Sequence, residues 1–519
     1  SLEFTETPHG VRVCWYPLRI RIIFLDYEKP VTHDRNEKPM TTATLPYDPA
    51  SPHAEEFINH EEILATLEAA RADAADLAIV DRILEKATEG NGLTHREASV
   101  LLACEDKARI ERIFALARAI KDDHYGNRIV LFAPLYLSNY CMNGCVYCPY
   151  HLQNKTIPRK KLTQEEIAAE VIALQDQGHK RLAIELGEDP INNPIEYVLE
   201  SLQTIYSIKH KNGAIRRANV NIAATTVENY RKLKEAEIGT YILFQETYHK
   251  ERYEELHPTG PKSNYAYHTE AHDRAMEAGI DDVGLGVLFG LEGYAYEFAG
   301  LLMHAEHLEA VFGVGPHTIS VPRVRPADDI DPDTFDNGVP DDVFAKIVAC
   351  IRIAVPYTGL IISTREPQAM REQLLELGVS QISGGSRTSV GGYVSEEDED
   401  ESTAQFNVYD NRSLDEVVSW LMELGYIPSF CTACYRAGRQ GDRFMELCKN
   451  EQIAGFCHPN ALMTLEEYLL DYASPEARAL GEALIDAEMA NEDFKRAPVY
   501  AVLEKNLADI KEGKRDLRF

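Results

Sequence analysis

No stretch of this 519-residue sequence holds the roughly 18 consecutive apolar residues that a membrane-crossing helix needs, so no segment is read as spanning a bilayer. Basic residues are scarce: 53 Lys and Arg stand against 84 Asp and Glu, a formal net charge of −31. A field of that sign repels phosphate backbones and anionic lipid surfaces, which argues against nucleic acid and membrane as partners. Missing at the N-terminus are the charged segment, apolar core and small-residue site of a secretory signal, and residues 1–54 are too acidic for an organellar transit peptide. They are read as a poorly specified leader that leaves an organelle matrix open. Repeats at solenoid periods are absent. Ten cysteines without a secretion signal point to a reducing cytoplasm, where clustered thiols bind metal more readily than they form disulfides.

From about residue 55 to 127 apolar residues recur at helical spacing, and Thr94 with Glu97 forms a capping-box pattern, so this part is read as a helical preface. Short β-rich runs then alternate with amphipathic segments. Strands are expected at 128–138, 181–188, 218–226, 240–248, 282–291, 318–326, 359–366 and 381–388. Between the first two, Ile167, Val171 and Leu174 share one helical face, and Thr163 with Glu166 caps its start. Eight β/α units suit a closed parallel barrel, although a doubly wound sheet gives a similar string. Glu188, Thr226, Glu246, Arg323, Arg365 and Arg387 collect at the C-terminal ends of the expected strands, where such barrels do chemistry, and this favours the barrel. The barrel is placed at 128–392. An acidic run at 395–402 reads as a solvated linker, and 393–519 reads as a separate, mostly helical unit.

Directly after the first expected strand, "NYCMNGCVYCPYH" puts Cys141, Cys145 and Cys148 inside eight residues. A zinc site normally takes four protein ligands, so three thiols on one loop leave a metal one short. A cubane iron-sulfur cluster has four irons, so three thiolates leave one iron open to a small molecule.

Spacing, the aromatic Tyr147 and the strand-loop context together resemble the radical S-adenosylmethionine (SAM) superfamily. The resemblance implies a 4Fe-4S cluster on Cys141, Cys145 and Cys148, with its fourth iron chelated by SAM. It also implies that Gly187 and Glu188 of "LGED" hold the methionine amino group, with Leu186 where a first glycine usually stands. A carboxylate beside an ammonium is a charge-assisted contact, and glycine lets a ligand approach the backbone. Tyr147 is counted with the cofactor, and Gly284 and Gly286 of the fifth strand are expected to make room for adenosine.

Farther on, "CTACYR" carries Cys431 and Cys434, with Cys457 beyond Cys448. Alone, this would be read as zinc about as readily as iron-sulfur. With the first motif and with "NVNIAATTVENYRKL", "QISGGSRTSVGGY" and "EGKRDLRF", residues 55–519 resemble the tyrosine lyases that mature FeFe-hydrogenase. That likeness implies a second 4Fe-4S cluster on Cys431, Cys434 and Cys457, carrying an extra iron with cysteine, and gives Cys448 no ligand role. It implies cleavage of L-tyrosine to p-cresol and dehydroglycine. Dehydroglycine would then become carbon monoxide and cyanide in an iron-carbonyl-cyanide-cysteine unit. A reductant such as ferredoxin or flavodoxin, other hydrogenase maturases and an anaerobic host follow from the same likeness. Tyrosine's carboxylate calls for a buried arginine fork, first Arg365 and then Arg323, and Glu246 is a candidate for the ribose or the tyrosine. His307 and His317 are the candidates for the extra iron, with His304 behind them. Two alternatives stand: a thiazole-biosynthesis tyrosine lyase that stops at dehydroglycine, and a non-enzymatic iron-sulfur carrier. The C-terminal cysteines speak against the first, the barrel's polar upper face against the second.

Overall fold

The computed structural model describes residues 4–6, 12–14, 47–394, 401–450 and 452–519. Most of the leader and of the acidic run therefore lies outside the described residues; Phe4–Glu6 and Arg12–Cys14 pair as an antiparallel ribbon.

Among the described residues five helices, Ala54–Phe57, His60–Ala74, Leu77–Ala87, His95–Ala103 and Lys107–Tyr125, precede the barrel. The reciprocal caps expected at Thr94 with Glu97 and at Thr163 with Glu166 both form. Tyr47, at the end of the segment read as leader, donates to Glu306 Oε2 at 2.8 Å and so ties that end to the barrel's outer wall.

The barrel strands are β1 (Arg128–Ser138), β2 (Arg181–Leu186), β3 (Arg217–Asn221), β4 (Tyr241–Ile242), β5 (Val283–Gly286), β6 (Thr318–Ser320), β7 (Gly359–Ile362) and β8 (Val379–Ser383). Each pairs in parallel with the next, and β8 returns to β1 through Gln381↔Val130, Ile382↔Leu131 and Ser383↔Phe132, which closes the sheet. The doubly wound alternative is thereby excluded. Several strands stop earlier than expected: β4 ends at Ile242, and β6 at Ser320 with one isolated bridge beyond it, Phe289↔Arg323. There the chain leaves the ladder to build the upper rim, so the polar ends of these runs lie in loops.

The C-terminal part is mostly helical, as expected, but it is not a detached unit. Its strand β9 (Ile427–Ser429) adds to β1 in parallel, with Ile427 beside Arg128 and Ser429 beside Val130. It therefore lies along the barrel's lower edge, and the chain that follows it runs under the floor.

Arg371, fully buried in helix Gln368–Leu377, pairs with Asp410 and donates to the Ser383 carbonyl at 2.6 Å, joining the segment after the barrel to β8. Breaking a buried pair leaves an uncompensated charge. Asp410→Ala is expected to cost about 3–5 kcal/mol, seen as a lowered thermal midpoint by circular dichroism; an unchanged midpoint contradicts this role.

Candidate functional site: a thiol triad at each end of the barrel

Past β1 the chain turns over the top of the barrel and presents Cys141, Cys145 and Cys148 to one cavity of about 230 Å³. Backbone bonds pin this loop: Met142 N–H donates to the Glu188 carbonyl at 2.8 Å, Gly144 N–H to that of Thr259 at 2.9 Å, and Val146 N–H to that of Leu256 at 3.0 Å. Arg159 ties it from beneath, donating to the carbonyls of Asn139, Tyr150, His151 and Asn154. Gly187 is required by contact: a Cβ there would sit 2.4 Å from the Tyr140 carbonyl oxygen and 2.9 Å from Cys141 Cβ. The "LGED" turn thus presses directly on the cysteine loop. Glu188 lines the same cavity and accepts from Asn143 Nδ2 at 2.7 Å. Burial raises its pKa, while Asn143 and Lys262 pull the other way.

Of the other expected residues, Tyr147, Glu246 and Arg365 also line this upper cavity. Tyr147 hydroxyl lies 2.7 Å from His257 Nε2. Glu246 is paired with Lys262, whose Nζ lies 2.8 Å from its Oε1. Burial opposes the Lys262 charge, but Glu246 and Cys145 beside it hold its pKa above the ordinary value. The Arg365 guanidinium stacks over the Phe406 ring at 3.6 Å, and burial lowers its pKa against the pull of Tyr136, Glu246 and Glu185.

Three residues expected at the upper cavity lie outside its lining. Arg323 does not reach the cavity: it forks onto the buried Glu366, donates to the Val339 carbonyl at 2.8 Å and meets Asp341 at 2.7 Å. Its donors hold the wall together, so it is not the substrate cation. Gly284 and Gly286 do not line the cavity either; a Cβ on Gly286 would meet Phe244 Cδ1 at 2.4 Å, so that glycine makes room for a phenylalanine ring, not for adenosine.

At the opposite end a smaller cavity of about 60 Å³ is lined by Cys431, Cys434 and Cys457 together with His317. Arg128, Arg181 and Arg217, the first residues of β1, β2 and β3, form part of its wall. Arg181 Nη2 donates to the Cys431 carbonyl at 2.7 Å, and Arg217 lies 3.0 Å from the Tyr435 ring centre. The Tyr435 hydroxyl is 3.1 Å from His317 Nε2, and Asp282 Oδ1 is 3.4 Å from His317 Nδ1. Burial pushes the His317 pKa down, which keeps a nitrogen lone pair available for a metal. His307 is not brought here. It stacks on Phe57 with ring centres 3.7 Å apart and bonds the Pro49 carbonyl and Asp273, both at 2.7 Å, outside the barrel. His304 is buried beside it against Tyr248, 3.1 Å from that hydroxyl. Cys448, buried, is absent from the lower cavity's lining.

Both triads have the chemistry of a cluster site. Burial pushes the Cys148 thiol up to about 12 and raises Cys145 and Cys431, so these sulfurs stay protonated until a metal displaces the proton. Cys434 is lowered to about 6 by the Cys457 thiol that donates to it, and Arg439 helps.

Sequence reasoning missed Lys262, Glu185 and the three lower arginines. Glu185 lies deep in the upper cavity, accepts from Asn221 Nδ2 at 2.8 Å, and is pushed by burial from 4.5 up to about 8. The arginines left a signal in "RIVLF", "RLAIE" and "RANVN", where a basic residue opens each strand.

Two outcomes follow. With one four-iron cluster expected on each triad, Cys145→Ala and Cys434→Ala should each remove about half of the iron bound by reconstituted protein; iron analysis that finds one substitution without effect contradicts a second site. Because the folded protein keeps a proton on Glu185 that the unfolded chain loses near 4.5, stability falls as pH rises from about 4.5 towards about 8. Glu185→Gln is expected to flatten that slope in thermal melts, and an unaltered slope contradicts the buried acid.

Two family models match the chain: "Radical SAM superfamily" over residues 135–302, and "Biotin and Thiamin Synthesis associated domain" over residues 320–427. A crystal structure described as HydG, a maturase of the FeFe-hydrogenase, is 54% identical and covers 89% of this chain and 100% of its own, with a TM-score of 0.84. The FeFe-hydrogenase maturase HydG from Carboxydothermus hydrogenoformans is 40% identical, covers 88% of this chain and 99% of its own, and has a TM-score of 0.75. A 2-iminoacetate synthase of Escherichia coli is 28% identical over 347 residues, 66% of this chain and 89% of its own length. With its cysteine-lined upper cavity, its closed barrel and this degree of identity over nearly its whole length, the chain belongs to the radical SAM superfamily, in the family of the FeFe-hydrogenase maturase HydG.

Proposed function

We propose that the protein cleaves L-tyrosine to p-cresol and dehydroglycine in the upper cavity, and that dehydroglycine is broken down beside the lower thiol triad. The second step balances as dehydroglycine giving carbon monoxide, hydrogen cyanide and water. The final product is an iron-carbonyl-cyanide-cysteine unit for FeFe-hydrogenase, in which iron and cysteine are cargo. The observation that carries this reading is the presence of two cysteine triads at opposite ends of one barrel. The Escherichia coli relative adds support, since 2-iminoacetate is dehydroglycine.

A 4Fe-4S cluster held by Cys141, Cys145 and Cys148, with SAM on its open iron, would supply the 5′-deoxyadenosyl radical that starts the reaction. The remaining tasks fall to the chain. Glu188 and Gly187 receive the methionine end of SAM, one by charge and the other by letting the ligand approach the backbone. Arg365, stacked on Phe406 and with no carboxylate bonded to it among the described residues, receives the tyrosine carboxylate. Glu246 keeps Lys262 fixed beside the cysteine loop. Glu185, protonated at neutral pH because burial lifts its pKa to about 8, offers a hydrogen-bond donor to the substrate's polar end. At the lower triad His317 supplies a nitrogen for the extra iron, and Tyr435 and Asp282 set its orientation. Ferredoxin or flavodoxin delivers electrons, and other maturases receive the product. No helix among the described residues is long and apolar enough to cross a membrane.

The test is anaerobic turnover of reconstituted protein with SAM, dithionite and L-tyrosine, assaying p-cresol, carbon monoxide and cyanide beside a Cys431→Ser/Cys434→Ser variant. The expected result is p-cresol from both and carbon monoxide from the parent alone. p-Cresol without either diatomic in the parent would show a lyase that stops at dehydroglycine, and no p-cresol would overturn the assignment.

A further inference from the structure

Although 84 of the 519 residues are acidic, no Asp or Glu occurs from His124 to Gln164. That interval holds the upper cysteine loop and, directly after it, Lys155, Arg159, Lys160 and Lys161. Lys155 donates to the Leu152 carbonyl at 2.6 Å, Arg159 to four backbone carbonyls and Lys161 to that of Asn192, and among the described residues none of these three pairs with a carboxylate. Outside the cavity, the carboxylates that meet these loops are Asp189, Asp328 and Asp329. Asp189 accepts from the Ile191 and Asn192 N–H groups at 2.9 and 3.0 Å, Asp328 accepts from Asn154 and Thr156, and Asp329 lies 3.3 Å from His151. Four cations against three carboxylates make this face an exception on a chain of net charge −31. The same loops expose large apolar side chains. Met142 and Val146, each next in sequence to a cysteine of the triad, are 37% and 43% exposed, Leu152 is 47% and Ile191 87% exposed. They belong to one patch: the Leu152 N–H donates to the Asn143 carbonyl at 2.8 Å, and Asn193 Nδ2 ties the Ile191 turn to the carbonyls of Gly187 and Tyr140 at 2.8 and 3.0 Å. Contiguous apolar groups rimmed by polar ones mark an interaction surface.

Cys141 and Cys145 line the upper cavity while their neighbours Met142 and Val146 face out, so at this loop the wall between cavity and solvent is one residue thick. We propose that Met142, Val146, Leu152 and Ile191, with the cations of 155–161, form the docking face for an acidic one-electron carrier protein with a flavin or iron-sulfur centre. This rests on the cluster assigned to the upper triad under the proposed function, and adds the place where its electron enters. Over most of this acidic chain a carrier of like sign is repelled; over the loop it is attracted. Such steering raises association rates 10- to 1,000-fold and weakens with ionic strength, while the apolar patch supplies the contact that keeps the carrier seated.

The test is the rate at which the upper cluster of the reconstituted protein is reduced, read by rapid-freeze electron paramagnetic resonance as growth of the signal that SAM shifts. Reduced flavodoxin and reduced ferredoxin, both acidic, serve as carriers; dithionite and reduced methyl viologen serve as small reductants that need no docking face. Lys155→Glu/Lys160→Glu is expected to slow both carriers about tenfold at low salt, with the deficit closing at about 0.5 M salt as the screening length shrinks to a few ångströms. Leu152→Asp/Ile191→Asp is expected to slow them at low and high salt alike, because lost apolar contact is not restored by screening. Both variants should be reduced at the parent rate by the small reductants. Carriers that reduce either variant as fast as the parent overturn the proposal, as does a parent that neither carrier reduces. A variant slowed equally by small reductants overturns it too, since the damage would then lie in the cysteine loop. Parent protein that sediments with anionic vesicles, or a parent dimer that Leu152→Asp/Ile191→Asp breaks, would give the face to a lipid surface or to a second copy of this chain and so contradict it. Formation of p-cresol with dithionite reads the proposed chemistry separately, so failure there and failure of the docking face are told apart.

Discussion

Everything in this molecule depends on one set of pairings, the return of β8 onto β1 through Gln381, Ile382 and Ser383. In a closed ring of parallel strands all C-terminal ends face one way and all N-terminal ends the other. The upper rim gathers the loop after β1, the turn after β2 and the segments beyond β4 and β7, which bring Cys141, Glu188, Glu246 and Arg365 around one cavity. The lower rim gathers the first residues of β1, β2 and β3, and β9 extends β1 so that Cys431 and Cys434 follow directly beneath. A flat sheet would leave these two sets on opposite edges without enclosing either.

Electrostatics divides along the same line. The chain as a whole is strongly acidic at −31, yet its floor concentrates buried arginines and its roof pairs Lys262 with Glu246. Bulk charge decides which macromolecules approach; buried charge decides which small molecules are held. Glu185 shows how far burial reshapes a group inside, since the same carboxyl would be ionised at neutral pH on the surface.

Much of this was legible in the sequence. Alternating β-rich and amphipathic runs announced the barrel, Thr163 with Glu166 announced a helix start, and the spacing of Cys141, Cys145 and Cys148 announced a cofactor loop. Chemistry carried by local spacing can be read from a string. What could not be read depends on where distant residues meet. Arg365 and Arg323 both follow strands and are expected in that order, but nothing in the string shows that Glu366 captures Arg323 while Arg365 faces the cavity. His307 and His317 are ten positions apart, and the end of helix Tyr294–Phe312 between them sends one outside the barrel and the other under it. Gly286 is expected to make room for adenosine, but the neighbour that needs the space is Phe244.

Two chemically separate thiol sites share one barrel. Electron paramagnetic resonance of the reduced, reconstituted protein tests it most directly, with SAM and L-cysteine added singly to the parent and to Cys145→Ala and Cys434→Ala. Two signals are expected: one shifted only by SAM and missing in Cys145→Ala, the other shifted only by L-cysteine and missing in Cys434→Ala. A single signal, or one that answers to both ligands, would contradict it.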